Sequence, residues 1–107
     1  TPVVNSLYSQ NIIKAWGTVA TEGTDVACFN VSSVSYSSSG EYTFYWRAAF
    51  ATVNYSVAVT PISTSSRALH AIVAGMATTN AKIRVFDNAG GNADPDGLSL
   101  MVLGKQA

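Results

Sequence analysis

Glu41-Tyr42-Thr43-Phe44-Tyr45-Trp46-Arg47 alternates without a break. Tyr42, Phe44 and Trp46 fall on one side, and Glu41, Thr43, Tyr45 and Arg47 on the other. A period of two with aromatics on one side only is the pattern of an antiparallel strand that buries one face and wets the other. Ser37-Ser38-Ser39-Gly40 precedes it, a polar turn whose glycine can take positive φ. Residues 26–36 then read as its hairpin partner. Phe29 and Val31 share a face there, and a bulge near Ser32-Ser33 brings Val34 back into register.

The same period recurs outward from this hairpin. Tyr55, Val57 and Val59 alternate with Ser56, Ala58 and Thr60, and Pro61 is expected to end that strand. Ala81, Ile83 and Val85 alternate with Lys82, Arg84 and Phe86. Residues 68–74 are mostly apolar on both faces, with His70 on the side of Ala68 and Ile72, residues 98–103 are apolar on both faces apart from Ser99, and residues 11–16 give a further short strand. Helical periodicity is absent. These features predict an all-β fold, a small antiparallel β-sandwich of about seven strands. Trp16, Phe29, Tyr42, Phe44, Trp46 and Tyr55 are the expected aromatic core. Lone Cys28 is expected to be a small buried residue. Residues 1–10 carry no alternation and read as a connector from a preceding segment, with the domain proper at 11–107.

Composition narrows the function. The chain has 107 residues, six of them basic and six acidic, for a net charge of zero. Charged residues make up 11%, against about 25% in an average soluble domain. Phosphate-neutralising nucleic-acid binding and polybasic membrane attachment both need a basic surplus that is missing. No stretch is long and apolar enough to span a membrane, and no secretory signal is expected. Hydrophobic residues reach 48% and mean hydropathy is +0.20. With so few charges, part of the surface is expected to be covered. Twenty-three Ser and Thr and seven Asn supply the polarity instead.

Chemistry-bearing motifs are sparse. Asn92, Asp94, Asp96 and Gly97 match the opening of a calcium loop, but its twelfth position is Leu103 where a bidentate Glu is required. No carboxylate pair, Ser-His-Asp arrangement or nucleotide fingerprint is evident, and neither an enzyme nor a cofactor or metal is expected. Asn30-Val31-Ser32 and Asn54-Tyr55-Ser56 match the glycosylation sequon. Tyr45, Arg47 and Arg84 on polar strand faces, His70 in the mostly apolar run at 68–74, and Asp87, Asn88, Asn92 and Asp94 in the loop at 87–97 are the candidate ligand-binding residues. Exposed Tyr and Arg combine contact area with hydrogen bonding.

Several stretches in order carry a resemblance: Lys14-Ala15-Trp16, Phe29-Asn30-Val31-Ser32-Ser33, Gly40-Glu41-Tyr42-Thr43, Val53-Asn54-Tyr55, Arg84-Val85-Phe86 and Ala93-Asp94-Pro95. This set resembles the C-terminal receptor-binding domain of tailed-phage tail fibres and of related fibre-like bacterial adhesins, over about residues 11–107. The chain departs from it at Glu41, where Asp is commoner, and at Tyr45-Trp46-Arg47, where small polar residues are usual. The resemblance implies a homotrimer at an extracellular fibre tip that attaches to a host-surface glycan or other receptor. It carries over no catalytic residue. On that reading the last strand, through Leu98, Leu100, Met101, Val102 and Leu103, is the expected trimer interface. The competing reading is a purely structural trimerisation cap. A glycan-cleaving tailspike is disfavoured by the lack of a carboxylate pair.

Overall fold

In a computed structural model, described for residues 13–20, 23, 26–65 and 67–106, the described residues form eight strands. The connector expected at 1–10 lies outside them. The strands are β1 (Ile13–Ala20), β2 (Ala27–Phe29), β3 (Val31–Ser38), β4 (Glu41–Trp46), β5 (Ser56–Ile62), β6 (Leu69–Ala77), β7 (Asn80–Asp87) and β8 (Gly97–Leu103). Two four-stranded antiparallel sheets result. Sheet A has the order β2-β1-β8-β5 and sheet B the order β3-β4-β7-β6.

The alternating residues meet between the sheets. Tyr42, Phe44 and Trp46 of β4 and Ala81, Ile83 and Val85 of β7 are buried against Ala15 and Val19 of β1 and Leu98, Leu100 and Val102 of β8. The closest approach leaves no room for a larger residue on β1. A Cβ added at Gly17 would lie 3.2 Å from the Phe44 ring. Trp46, Phe50 and Tyr55 close one end, with Phe50 and Tyr55 stacked at 4.4 Å between ring centroids.

Asn30 explains why eight strands form where the alternation suggests about seven. It adopts φ 58°, a left-handed conformation that Asn tolerates better than most residues. The run at 26–36 therefore divides into β2 in sheet A and β3 in sheet B. The Asn30 amide fixes the corner: its Oδ1 accepts from the Ala48 N–H at 2.6 Å, and its Nδ2 donates to the Lys14 carbonyl at 3.1 Å. The expected bulge is present, because the β3–β4 register shifts between Val31 and Ser33.

Four expectations change. Phe29 is not core: the corner at Asn30 places it on the outer face of sheet A, 56% exposed. Trp16 also faces outward, because its neighbours on the inward side of β1 are the small, buried Ala15 and Gly17, and Gly17 makes room for the Phe44 ring of β4. Cys28 is exposed on the short edge strand β2, its thiol donating to the Val31 carbonyl. Pro61 does not end β5, which continues to Ile62. β5 is an edge strand, where a residue without an N–H costs no ladder bond.

Candidate binding face

Period-two alternation gives sheet B a polar outer face. The β4–β7 and β6–β7 registers set Glu41 opposite Arg84, Arg84 opposite Ile72, and His70 opposite Phe86. Residues directly opposite in antiparallel strands share a face, so these five side chains lie together. Arg84 and Phe86 are two apart on one strand, and the guanidinium carbon sits 5.3 Å from the Phe86 ring centroid. Arg84 Nη2 donates to Asn92 Oδ1 at 3.2 Å. A backbone bridge between Phe86 and Asn92 holds the loop against this edge of β7. The Ser38 hydroxyl donates to the Glu41 carboxylate at the margin of the group.

The loop carboxylates are committed elsewhere. Asp87 Oδ1 accepts from the backbone of Ala89 and Gly91, both at 2.9 Å, closing a turn within its own loop. Asn88 is exposed on that turn. Asp94 accepts from the Tyr36 hydroxyl and the Gly40 N–H, each at 2.8 Å. Asp96 accepts from the Thr64 N–H at 2.7 Å and the Thr64 hydroxyl at 2.9 Å, with Arg67 at 3.7 Å. These bonds, chiefly that from the Thr64 N–H, hold the Asp96 carboxyl below its ordinary value. Asn92, Asp94 and Asp96 thus face three different partners rather than one centre. No group of three or more His, Cys, Asp and Glu among the described residues could hold a metal ion.

The structure therefore divides the sequence-derived candidates. His70, Arg84 and Asn92 come together, with Asp87 and Asn88 in the adjoining turn. Tyr45 and Arg47 lie at the other end of β4, and Tyr45 is opposite Asn80. Four residues of strand, about 13 Å, separate Tyr45 from Glu41. Asp94 is a brace between loops. Glu41, Ile72 and Phe86 belong to the face but were not among the candidates. The Arg84-Val85-Phe86 alternation already puts Phe86 beside Arg84, whereas Glu41 and Ile72 join through registers that no local pattern encodes.

The residues expected at a trimer interface also divide. Leu98, Leu100 and Val102 pack in the chain's own core, Leu103 is half-buried, and Met101 is exposed on the outer face of sheet A. Among the described residues no helix is long and apolar enough to cross a membrane. Comparison of the chain with protein-family models, curated proteins and solved structures finds no match.

Proposed function

We propose that this domain is the receptor-binding tip of a homotrimeric extracellular fibre, a phage tail fibre or a fibre-like adhesin, and that it contacts a neutral surface glycan through the outer face of sheet B. The observation that carries the reading is the grouping of Arg84, Phe86 and Asn92 beside His70 on paired strands. A sugar ring offers an apolar face and a rim of hydroxyls. Phe86 supplies an apolar contact, while Arg84, Asn92 and His70 supply hydrogen-bonding groups at its edge. A face of this size binds weakly alone. Three copies per tip, and several tips per particle, raise the effective concentration enough for firm attachment.

The test is binding of the assembled domain to an array of host-surface glycans. Retention that falls in Phe86→Ala and Arg84→Ala variants with intact circular dichroism supports the reading. Binding unaffected by both variants, or absent from every susceptible surface, overturns it. A second reading, a trimerisation cap with a structural role only, is favoured by the exposed apolar residues on the opposite face of the sandwich.

A further inference from the structure

Register across sheet A lines up one row of side chains. Phe29 is opposite Trp16, Trp16 opposite Met101, and Met101 opposite Ala58, one residue from each strand. All four point away from the core, and Phe29, Trp16 and Met101 are 56%, 42% and 45% exposed. Ile13 and Ile62 are exposed on the same face. Five of the nine large apolar residues exposed on the described structure thus share one sheet face. The other outward positions are Ala27, Thr18, Ser99, Thr60, Ala20, Gly97, Leu103 and Ser56, and Lys14, the charged residue of these strands, is buried at the β1 bulge, so the exposed face carries no charge. The outer face of sheet B, by contrast, carries Glu41, Lys82, Arg84 and His70.

We infer that the outer face of sheet A is the surface through which copies of this chain meet, with the Phe29–Trp16–Met101–Ala58 row at its centre. The inference rests on the fibre reading for the existence of an oligomer and adds the surface that forms it. Two features select a second copy as the occupant. A face without charge matches itself, since bringing two such faces together buries no unpaired ion. It offers no cation to anionic lipid and no charge to steer an acidic or basic partner. Its size is the second feature. Its strands hold eight, three, seven and seven residues, which at about 3.3 Å by 4.8 Å for each residue give roughly 400 Å² of flat area. That flat area matches the roughly 400 Å² per partner that bounds crystal-packing contacts, and the relief of Trp, Phe and Met side chains adds to it. The row runs across the strands. Copies arranged around an axis parallel to those strands would bring their rows together as one apolar layer, leaving every sheet B face outward.

Light scattering on the full chain, with the variants Met101→Glu, Trp16→Glu and Lys82→Glu, tests the inference. Met101 and Trp16 are exposed, so both acidic variants should keep the wild-type circular dichroism. The expected result is an oligomeric wild type and Lys82→Glu, with Met101→Glu and Trp16→Glu shifted to single chains and a dissociation midpoint raised about 100-fold by charges facing each other across the contact. On dilution of the wild type, tryptophan emission should shift to the red as Trp16 becomes wet. An oligomer that survives both acidic variants overturns this face and leaves the fibre reading standing. A wild type that is a single chain at high micromolar concentration overturns both. A single chain that also co-sediments with phosphatidylcholine vesicles assigns the face to lipid instead and equally overturns the inference.

Discussion

The Tyr36 hydroxyl donates to the Asp94 carboxylate at 2.8 Å across 58 residues of sequence, fastening the loop before β8 to the β3–β4 hairpin. The second carboxylate oxygen accepts from the Gly40 N–H in the hairpin turn. One side chain thereby joins two loops at the same end of the sandwich. Hydrogen bonds to an ionised carboxylate contribute more than neutral ones, so Asp94→Ala should lower unfolding free energy by about 1–3 kcal/mol. Asp94→Asn should lose less, because its carbonyl oxygen still accepts one of the two. Urea denaturation checks the order, and an Asp94→Ala midpoint equal to wild type contradicts the brace.

Gly40 and Gly90 separate two reasons for needing glycine. Both have positive φ, 72° and 87°. A Cβ at Gly40 would lie 2.5 Å from the Val85 carbonyl oxygen and 2.9 Å from that of Ala93, both backbone atoms, whereas at Gly90 it meets nothing within 4 Å. Gly90→Ala should therefore cost only the left-handed conformation, about 1–2 kcal/mol. Gly40→Ala adds displacement of the hairpin from β7 and should cost clearly more. Thermal melts of the two variants give the comparison directly, and equal losses would show that the turn can move away.

Why were Tyr42, Phe44, Trp46, Ile83 and Val85 legible as core, and Trp16 and Phe29 not? The first group lies in unbroken alternation against polar residues, so one face names itself. Trp16 stands between Ala15 and Gly17, where alternation is blind, because the small residues are inside to accommodate Phe44. Phe29 precedes a corner made by Asn30, whose contacts with Lys14 and Ala48 lie far away in the chain. The proposed binding face shows the same limit. The side of the strand taken by Arg84, by Phe86 and by His70 follows from local period, but the neighbours Glu41 and Ile72 of Arg84 follow from register, which is set by pairings between distant segments. Asp94 counts as a candidate ligand-binding residue in the sequence for the same reason: its partners Tyr36 and Gly40 lie more than fifty residues away.

Tyr55 ties β5 to the β6–β7 turn. Its hydroxyl lies 2.7 Å from the Ala77 carbonyl and 2.8 Å from the Asn80 carbonyl, while Trp46 Nε1 donates to it at 3.4 Å. Burial raises its pKa above the ordinary 10.0, against the lowering effect of Trp46 and the Ala77 contact. The folded state thus favours the neutral phenol. This stability is complete below the ordinary value and is lost as pH rises through the higher folded one. Tyr55→Phe should be less stable at neutral pH by about 1–3 kcal/mol, from the lost bond and the unsatisfied carbonyls. It should also lack the Tyr55 part of the alkaline loss. Denaturation at neutral pH and above pH 10.0 measures both effects.

The Asp96 carboxyl carries the opposite sign. Thr64 donates to it through its N–H and, more weakly, its hydroxyl, with a smaller contribution from Arg67, so its folded pKa lies below the ordinary 3.8. The stability it contributes is present above that value and disappears as pH falls through the folded one. Wild type should therefore lose more stability than Asp96→Asn between pH 3.8 and strongly acid solution. The loss should also shrink in Thr64→Ala, which keeps the N–H bond and removes the hydroxyl. Parallel acid dependences in wild type and Asp96→Asn would mean that the loop contact opens before the carboxyl titrates. Because Asp96 anchors the β5–β6 loop rather than the Arg84 group, Asp96→Asn should leave glycan retention at neutral pH unchanged, while Phe86→Ala abolishes it. That contrast separates an effect on the fold from one on the binding face.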